Sequence, residues 1–371
     1  MVVDIREVAR LSGVSPATVS RALNGRPDVS EATRERVRKM ASDLGYLPNE
    51  QARTLVRRRS DTVGLIWDTS YVVTKGRHSF LQDLAVGLKI ALAETGYHLM
   101  ILSPGSTTGF DDALIRIAAQ HSLEGVVLMA VEPHLPAVEA LIASGRPCIG
   151  LDLPIRGRRA SYVGSDNHHG AAVAVDHLIG LGHRRIAVIT GPLDMLPGVE
   201  RHEGFRTQMG VRGLDVPPEY VVSGDFFIDS GHAAMLSLLR LEHPPTAVFV
   251  CGDQMAVGAL HAINEAGLDV PGDISVVGFD DVEIAALVRP SLTTVSQDYL
   301  GLGRAGVALL TALIEEDREF GRGADAPPSV AAMRPELVPG ELIVRDSTGP
   351  VPVNPARPRD RQMAASRTDV S

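Results

Sequence analysis

Residues 4–24 read DIREVARLSGVSPATVSRALN, and this run decides how the chain is parsed. Ile5, Val8, Ala9, Val19 and Leu23 place apolar side chains at the spacing of one helix face. Gly13 interrupts the run and supplies a turn, because a residue without Cβ takes left-handed backbone angles at no steric cost. Ser15-Pro16 restarts a helix. The serine hydroxyl caps free amides, and proline suits the first helical position, where its missing N–H costs nothing. Two short helices around a glycine turn make a helix-turn-helix, the unit whose second helix enters the DNA major groove. A third helix is predicted from Ser30, with Glu31 in its first turn, through Val37, Met40 and Leu44 to Gly45.

The charge distribution agrees with that reading. Residues 1–60 hold 12 Lys and Arg against 7 Asp and Glu, whereas the remainder of the 371 residues holds 24 against 38. A basic head on an acidic body suits a DNA-binding module joined to a domain that does not touch DNA. Charged residues stand where a signal peptide would need its apolar stretch, and no apolar run approaches a bilayer span, so a cytoplasmic protein is expected. Cys148 and Cys251 lie in the apolar runs RPCIGL and VFVCGD and read as buried free thiols.

Residues 1–47 form the predicted headpiece. Residues 48–61 offer about two helical turns, too few to be stable alone where roughly 12–15 residues are marginal, so this linker is expected to order only on a partner. From Thr62 the pattern alternates between strand and helix, with strands expected at 63–67, 98–102, 125–130, 148–151, 185–190, 220–222, 247–251, 274–279, 292–295 and 341–344. Helices are expected between them, at 80–94, 113–121, 137–143, 169–181, 201–209, 230–241, 254–266 and 301–316. Such alternation implies parallel sheets covered on both faces, and two units in tandem leave a cleft at the C-terminal edges of their strands. The α/β core spans 62–348, with a first subdomain expected over about 62–164 and 293–325 and a second over about 165–292 and 326–348. Residues 349–371, rich in Pro, Arg and Ser, are expected to be disordered.

Taken together, DIREVARLSGVSPATVSRALNG, VSEATRERV, LGYLPNEQARTL, the SDN at 165–167, HLIGLGHRRIAVITGP, VPGDISVVGFDD and PSLTTVSQDYLGLG resemble, in order and spacing over roughly 4–348, the LacI/GalR family of bacterial transcription regulators. The resemblance implies a helix-turn-helix headpiece, a hinge helix, and a core of two Rossmann-like subdomains folded like a type I periplasmic binding protein. It further implies a homodimer that holds a near-palindromic operator on double-stranded DNA and answers to a small effector, a sugar or sugar derivative. The outer helices at 80–94 and 113–121 are the expected dimer surface, and no leucine heptad follows the core to suggest a coiled-coil tetramer.

By the same resemblance Pro16, Ala17 and Arg21 face base edges, Ser15 and Thr18 meet phosphates, and Asn24, Asn49, Ala52, Arg53 and Leu55 extend the DNA-facing set into the hinge. Arg21 can pair with guanine bidentately, worth about 1–3 kcal/mol of discrimination, whereas Pro16 and Ala17 donate nothing, so much of the specificity falls on DNA shape. Effector contacts are implied at Asp152, Arg201, Phe226, Asp280, Gln297 and Tyr299. Carboxylates and an arginine hold vicinal hydroxyls, and rings stack on the C–H face of a sugar. The stretch 68–79 departs from the family pattern and Gly252 replaces a ligand-binding asparagine of some members; Asp68 and Phe80 are secondary candidates there.

Other signals lead nowhere. The run GLGRAG at 301–306 fits a dinucleotide fingerprint in spacing but opens one of the last helices, with no strand-helix-strand unit after it. His168-His169 lacks further spaced ligands and suits a helix start; no cofactor or metal is expected. A sugar-binding transport protein would need export and no basic head, and a sugar-acting α/β enzyme would need a catalytic constellation, so neither competes well and the chain is not expected to be an enzyme. The resemblance places Leu55 as a wedge in the minor groove, where an apolar side chain kinks the duplex. Leu55→Ala is accordingly expected to weaken operator binding while effector affinity stays intact; unchanged operator affinity and DNA bend in a gel-shift assay would count against the wedge.

Overall fold

The computed structural model describes residues 4–23, 26–46, 59–68, 78–103, 112–132, 134–321, 329, 332 and 335–352. The chain divides into two compact units, 1–60 and 61–371.

The first unit is a three-helix cluster: α1 (Ile5–Ser12), α2 (Pro16–Leu23) and α3 (Glu31–Asp43). Each boundary has a local cause. The Asp4 carboxylate accepts the Arg6 amide, Gly13 at φ +65° turns its own N–H onto the carbonyls of Ala9 and Arg10, and Ser15 Oγ accepts the Thr18 amide at 3.1 Å. Ser30 caps α3 in the same way through Thr33. Val8, Ala9, Val19, Ala22, Val37 and Ala41 are buried together, with Ile5 and Leu23 packed against them, as the apolar spacing requires. The expected hinge at 48–58 lies outside the described residues.

The second unit holds twelve strands among its described residues. In chain order these are β1 (Thr62–Trp67), β2 (His98–Leu102), β3 (Gly125–Met129), β4 (Cys148–Leu151), β5 (Ala160–Ser165), β6 (Ile186–Thr190), β7 (Val221–Ser223), β8 (Ala247–Val250), β9 (Ser275–Asp280), β10 (Thr293–Ser296), β11 (Glu336–Val338) and β12 (Leu342–Ile343). One sheet runs β11-β5-β4-β3-β1-β2 and the other β12-β10-β9-β8-β6-β7; all pairs are parallel except β10 with β12. Central strands such as β3, β6 and β8 are buried along their whole length, which is why they read as continuous apolar runs. Three helices, α4 (Ser79–Thr95), α5 (Ala113–Gln120) and α6 (Pro136–Ala143), belong to the first sheet. The second sheet has α7 (Asn167–Gly180), α8 (Leu196–Val211), α9 (Ile228–Leu239) and α10 (Asp253–Glu265), with the short α11 (Glu283–Leu287); α12 (Tyr299–Phe320) returns to the first. Among the described residues no helix is long and apolar enough to cross a membrane.

The chain passes between the two sheets three times, at 165–167, 296–299 and 338–342. Two expected boundaries therefore move. The strand at 293–296 pairs with β9 and belongs to the second subdomain, not the first, and the first subdomain gains β11, which lies within the 326–348 stretch assigned to the second. Local pattern cannot make that choice, because pairing partners are remote in sequence. The strand β5 has no counterpart in the sequence reading, since ASYVGS carries small and polar residues that become buried only between β4 and β11. Helix α8 begins at Leu196, one turn and more before the expected Arg201. The expected disordered tail also starts too early: the Gly349 amide donates to Ser275 Oγ, its carbonyl accepts from the buried ring of His183, and the Val351 amide donates to the Leu181 carbonyl. Residues 353–371 lie outside the described residues.

Helices α4 and α12 touch backbone to backbone. A Cβ on Gly303 would meet the Gly87 backbone and come within 2.8 Å of the Leu88 nitrogen. Gly303→Ala is expected to destabilise the second unit by about 1–3 kcal/mol through overpacking. Denaturant unfolding followed at Trp67, the single tryptophan of the chain, reads this directly, and an unshifted midpoint would refute it.

Candidate functional site

On the first unit the α2 face presents Ser15, Pro16, Ala17 and Arg21 to solvent, with Thr18 half-buried. Ser15 Oγ and Thr18 Oγ1 lie 2.9 Å apart and cap the helix as a pair. Arg21 Nη1 donates to Asp28 Oδ2 at 3.1 Å and Nε to the Ala17 carbonyl at 3.3 Å. This pair is exposed, and such pairs are worth about 0–1 kcal/mol, so separating Arg21 from Asp28 costs little. Asn24, Asn49, Ala52, Arg53 and Leu55 lie outside the described residues.

In the second unit a constellation of polar side chains collects where the parallel strands end, the position at which open α/β sheets bind ligands. Asp152 follows β4, Phe226 follows β7, Asp280 closes β9 and Gln297 follows β10, while Arg201 reaches in from α8 and Asn167 opens α7. Arg201 is the centre. Its Nε donates to Asn167 Oδ1 at 2.8 Å, and its Nη1 donates to the Cys251 carbonyl at 2.9 Å and to Asp280 Oδ1 at 3.2 Å. The guanidinium lies 3.8 Å from the centre of the Phe279 ring and 5.9 Å from that of Phe226. Gln297 Nε2 donates to the same Asp280 oxygen at 2.5 Å, and Ser165 Oγ donates to Gln297 Oε1. Arg201 and Asp280 are both buried, with 3% and 6% of their side chains exposed. Removing one partner would strand a buried charge, at a cost of about 3–5 kcal/mol.

The backbone is strained at the same positions. Asp152, Phe226 and Asp280 take φ of +51°, +70° and +120° without being glycine. Such angles persist only where the surroundings enforce them, and they cluster at binding sites. Electrostatics follow from burial. The Asp152 carboxyl is pushed up to about 6 by burial, opposed by Arg201 and reinforced by Asp280 and Glu200. Asp280 is raised for the same first reason, with Arg201 and Gln297 pulling it back. Next to it Asp253 is driven well upward by burial and by Asp280; it accepts from Thr294 Oγ1 at 2.6 Å and from the Val282 amide at 3.0 Å, tying the start of α10 to the ends of β9 and β10.

Not every sequence candidate joins this cluster. Phe80 is a correction: it is buried in the first subdomain's apolar core with Leu84, Leu302 and Val282, because the second residue of α4 faces inward. Tyr299 opens α12 with its side chain about one-third exposed, its backbone carbonyl set against Gly87. Asp68 stands one residue beyond β1, at the same edge of the sheet. Asn167 and Ser165 were missed as site residues although the SDN run contains both; Asn167 is held between Arg201 and Glu200. His78, at the start of α4, sets its ring edge-on to Phe226 and Phe227 of the second subdomain, at 6.1 and 5.9 Å. Burial, with Arg201 adding, lowers its pKa to about 4, so the ring is neutral at neutral pH. Six buried side-chain atoms lack a hydrogen-bond partner among the described residues, and three of them, Trp67 Nε1, His78 Nδ1 and Thr190 Oγ1, lie at the ends of β1 and β6 and the start of α4. Buried polar atoms without partners are costly, so each is a position at which a hydrogen-bonding ligand group would be favourable.

Comparisons with known proteins agree with this architecture. Residues 4–49 match the family described as bacterial regulatory proteins, lacI family, and residues 175–348 match the periplasmic binding protein-like domain. The chain is 38% identical over 310 residues to the HTH-type transcriptional regulator CelR of Thermobifida fusca, covering 82% of this chain and 89% of that one. Among solved structures it is similar to a CelR–cellobiose complex, at 33% identity, TM-score 0.65 and coverage of 93% and 99%. It is also similar to the lac repressor dimer bound to operator and the anti-inducer ONPF, at 28% identity, TM-score 0.76 and coverage of 94% and 100%.

A carboxyl that titrates near 6 when folded and near 3.8 otherwise stabilises the fold fully below pH 3.8 and loses that contribution as the pH rises through 6. Asp152→Asn, which removes the charge, is therefore expected to raise the stability of the ligand-free protein at pH 7.5 by at most about 3 kcal/mol, with no gain below pH 4. Denaturant titrations at the two pH values check this; an equal effect at both would dissociate the change from the carboxyl's ionisation.

Proposed function

The chain belongs to the lacI family of bacterial regulatory proteins, and from that premise we propose that it represses genes for carbohydrate uptake or breakdown, holding a near-palindromic operator as a homodimer and answering to a small sugar or sugar derivative. It is a DNA-binding transcriptional regulator and not an enzyme, working in the cytoplasm where chromosomal DNA is met. The observation that carries the effector half is the buried Arg201–Asp280–Gln297 network at the strand ends, with the Phe226 and Phe279 rings beside the guanidinium. Planar guanidinium and carboxylate groups with aromatic faces match the alternating hydroxyl and C–H surfaces of a sugar. We assign Asp152, Arg201, Phe226, Asp280 and Gln297 to the effector, with Asn167, His78 and Trp67 added. Ser15, Pro16, Ala17, Thr18 and Arg21, continued by Asn24, Asn49, Ala52, Arg53 and Leu55, are assigned to DNA. One similar solved structure is a CelR–cellobiose complex, which supports a sugar here as well.

The coupling follows from where the network sits. Ser165, Asn167 and Gln297 lie on two of the three passages between subdomains, so a ligand that draws on Asp280 and Gln297 acts on the segments about which the subdomains would close. Effector binding shifts the open–closed balance only by its difference in affinity for the two states. Exposed Val86 and Ile90 on α4 and Ile101 on the edge strand β2 give the first subdomain the apolar surface that a second copy would cover.

Purified full-length protein is expected to bind labelled promoter fragments from its own chromosome, with affinity falling steeply as salt rises. One sugar in a panel should change that affinity, and Arg201→Lys, which loses the planar fork, should abolish the response while leaving sugar-free DNA binding unchanged. Failure to bind every promoter fragment, with and without sugars, would overturn the DNA half. An undiminished sugar response in Arg201→Lys would overturn the effector half.

A further inference from the structure

Away from the cleft, on the outer surface of the second subdomain, three potential metal-ligating side chains converge from two helices. His232 projects from α9, and His261 and Glu265 from one face of α10, four residues apart. Ligating atoms of the three lie within 4.8 Å of one another. His232 Nε2 is 2.7 Å from Glu265 Oε2, His261 Nε2 is 3.5 Å from Glu265 Oε1, and the two imidazole centres are 5.4 Å apart.

We propose that His232, His261 and Glu265 bind a divalent transition metal of the zinc class, with a fourth position left to water. Two imidazoles and one carboxylate are the donor set of borderline cations; magnesium and calcium prefer all-oxygen shells. Ligand bonds of roughly 2.0–2.2 Å in a tetrahedron hold donor atoms about 3.3–3.5 Å apart, so spacings within 4.8 Å need shifts of at most about 1.5 Å. Helices α9 and α10 cross at Gly231 and Gly258, where a Cβ on Gly258 would meet the Ile228 carbonyl and lie 2.7 Å from the His232 nitrogen. Glycine at that crossing brings the helix backbones together directly beside His232, and only that approach lets one carboxylate of α10 serve both rings. A bound ion would cross-link the two helices whose N-terminal ends reach the cleft at Phe227 and Asp253.

The test is calorimetric titration of the full-length protein with zinc chloride, alongside magnesium chloride. Saturable binding of one zinc per chain, no heat with magnesium, and a raised thermal midpoint with zinc are expected. His261→Ala, on a largely exposed side chain that the fold does not need, should weaken zinc binding by at least the ~10–100-fold that loss of even an outer-shell partner brings, and should erase the midpoint shift. Glu265→Gln should act likewise, while His121→Ala, at the residue that follows α5 in the first subdomain, should leave the titration unchanged. Zinc bound equally by wild type and His261→Ala would assign the ion to other surface histidines and overturn the proposal, as would the absence of binding by the wild type.

Discussion

The buried Arg201–Asp280 ion pair organises the strand ends of the second sheet. Arg201 comes from the middle of a helix and Asp280 from the last residue of a strand, and each would be intolerable in that interior alone. Satisfying the pair recruits the rest: Asn167 and the Cys251 carbonyl complete the guanidinium, Gln297 completes the carboxylate, and Phe279 covers the flat face of the arginine. Every one of these partners sits at the end of a strand or the start of a helix. The electrostatic demand of two charges is thereby met at the very edge where parallel sheets open to ligands, and the same charges remain to be shared with hydroxyl groups.

That network also spans the passages between subdomains. Ser165 ends the last strand before the first crossing and Gln297 lies on the second, and their side chains touch each other. The Ser296 amide donates to the Glu341 carbonyl and the Asp166 amide to the Val338 carbonyl, binding the third passage to the other two. The buried polar network and the crossing segments are thus the same stretch of chain, joined by few bonds. The headpiece is built on opposite terms. Its core is small and apolar, and Arg21 on its exposed face is held by a solvent-accessible pair with Asp28 and a bond to the Ala17 carbonyl.

Much of this was legible in one dimension. The glycine turn at Gly13, the caps at Ser15 and Ser30, and the apolar spacing of α1 to α3 depend on neighbours within four residues, so pattern and structure coincide. Alternating strand and helix runs likewise announced two parallel sheets, and Asp152, Arg201, Phe226, Asp280 and Gln297 were named from their motifs. The failures share a cause. β5 and β11 are strands by virtue of remote partners, Phe80 is core by virtue of the helix face it falls on, and Gly349 to Val351 are ordered by His183, Ser275 and Leu181, all far away in sequence.

The residues alone determined the modular plan: a basic helix-turn-helix followed by an acidic α/β body, because periodicity, capping and charge balance are properties of short windows. Tertiary structure alone decided which subdomain each late strand joins, that Arg201 and Asp280 share a buried bond, and that His78 crosses to Phe226 and Phe227. Those outcomes rest on desolvation and on contacts between distant segments, and neither quantity exists until the chain has closed on itself.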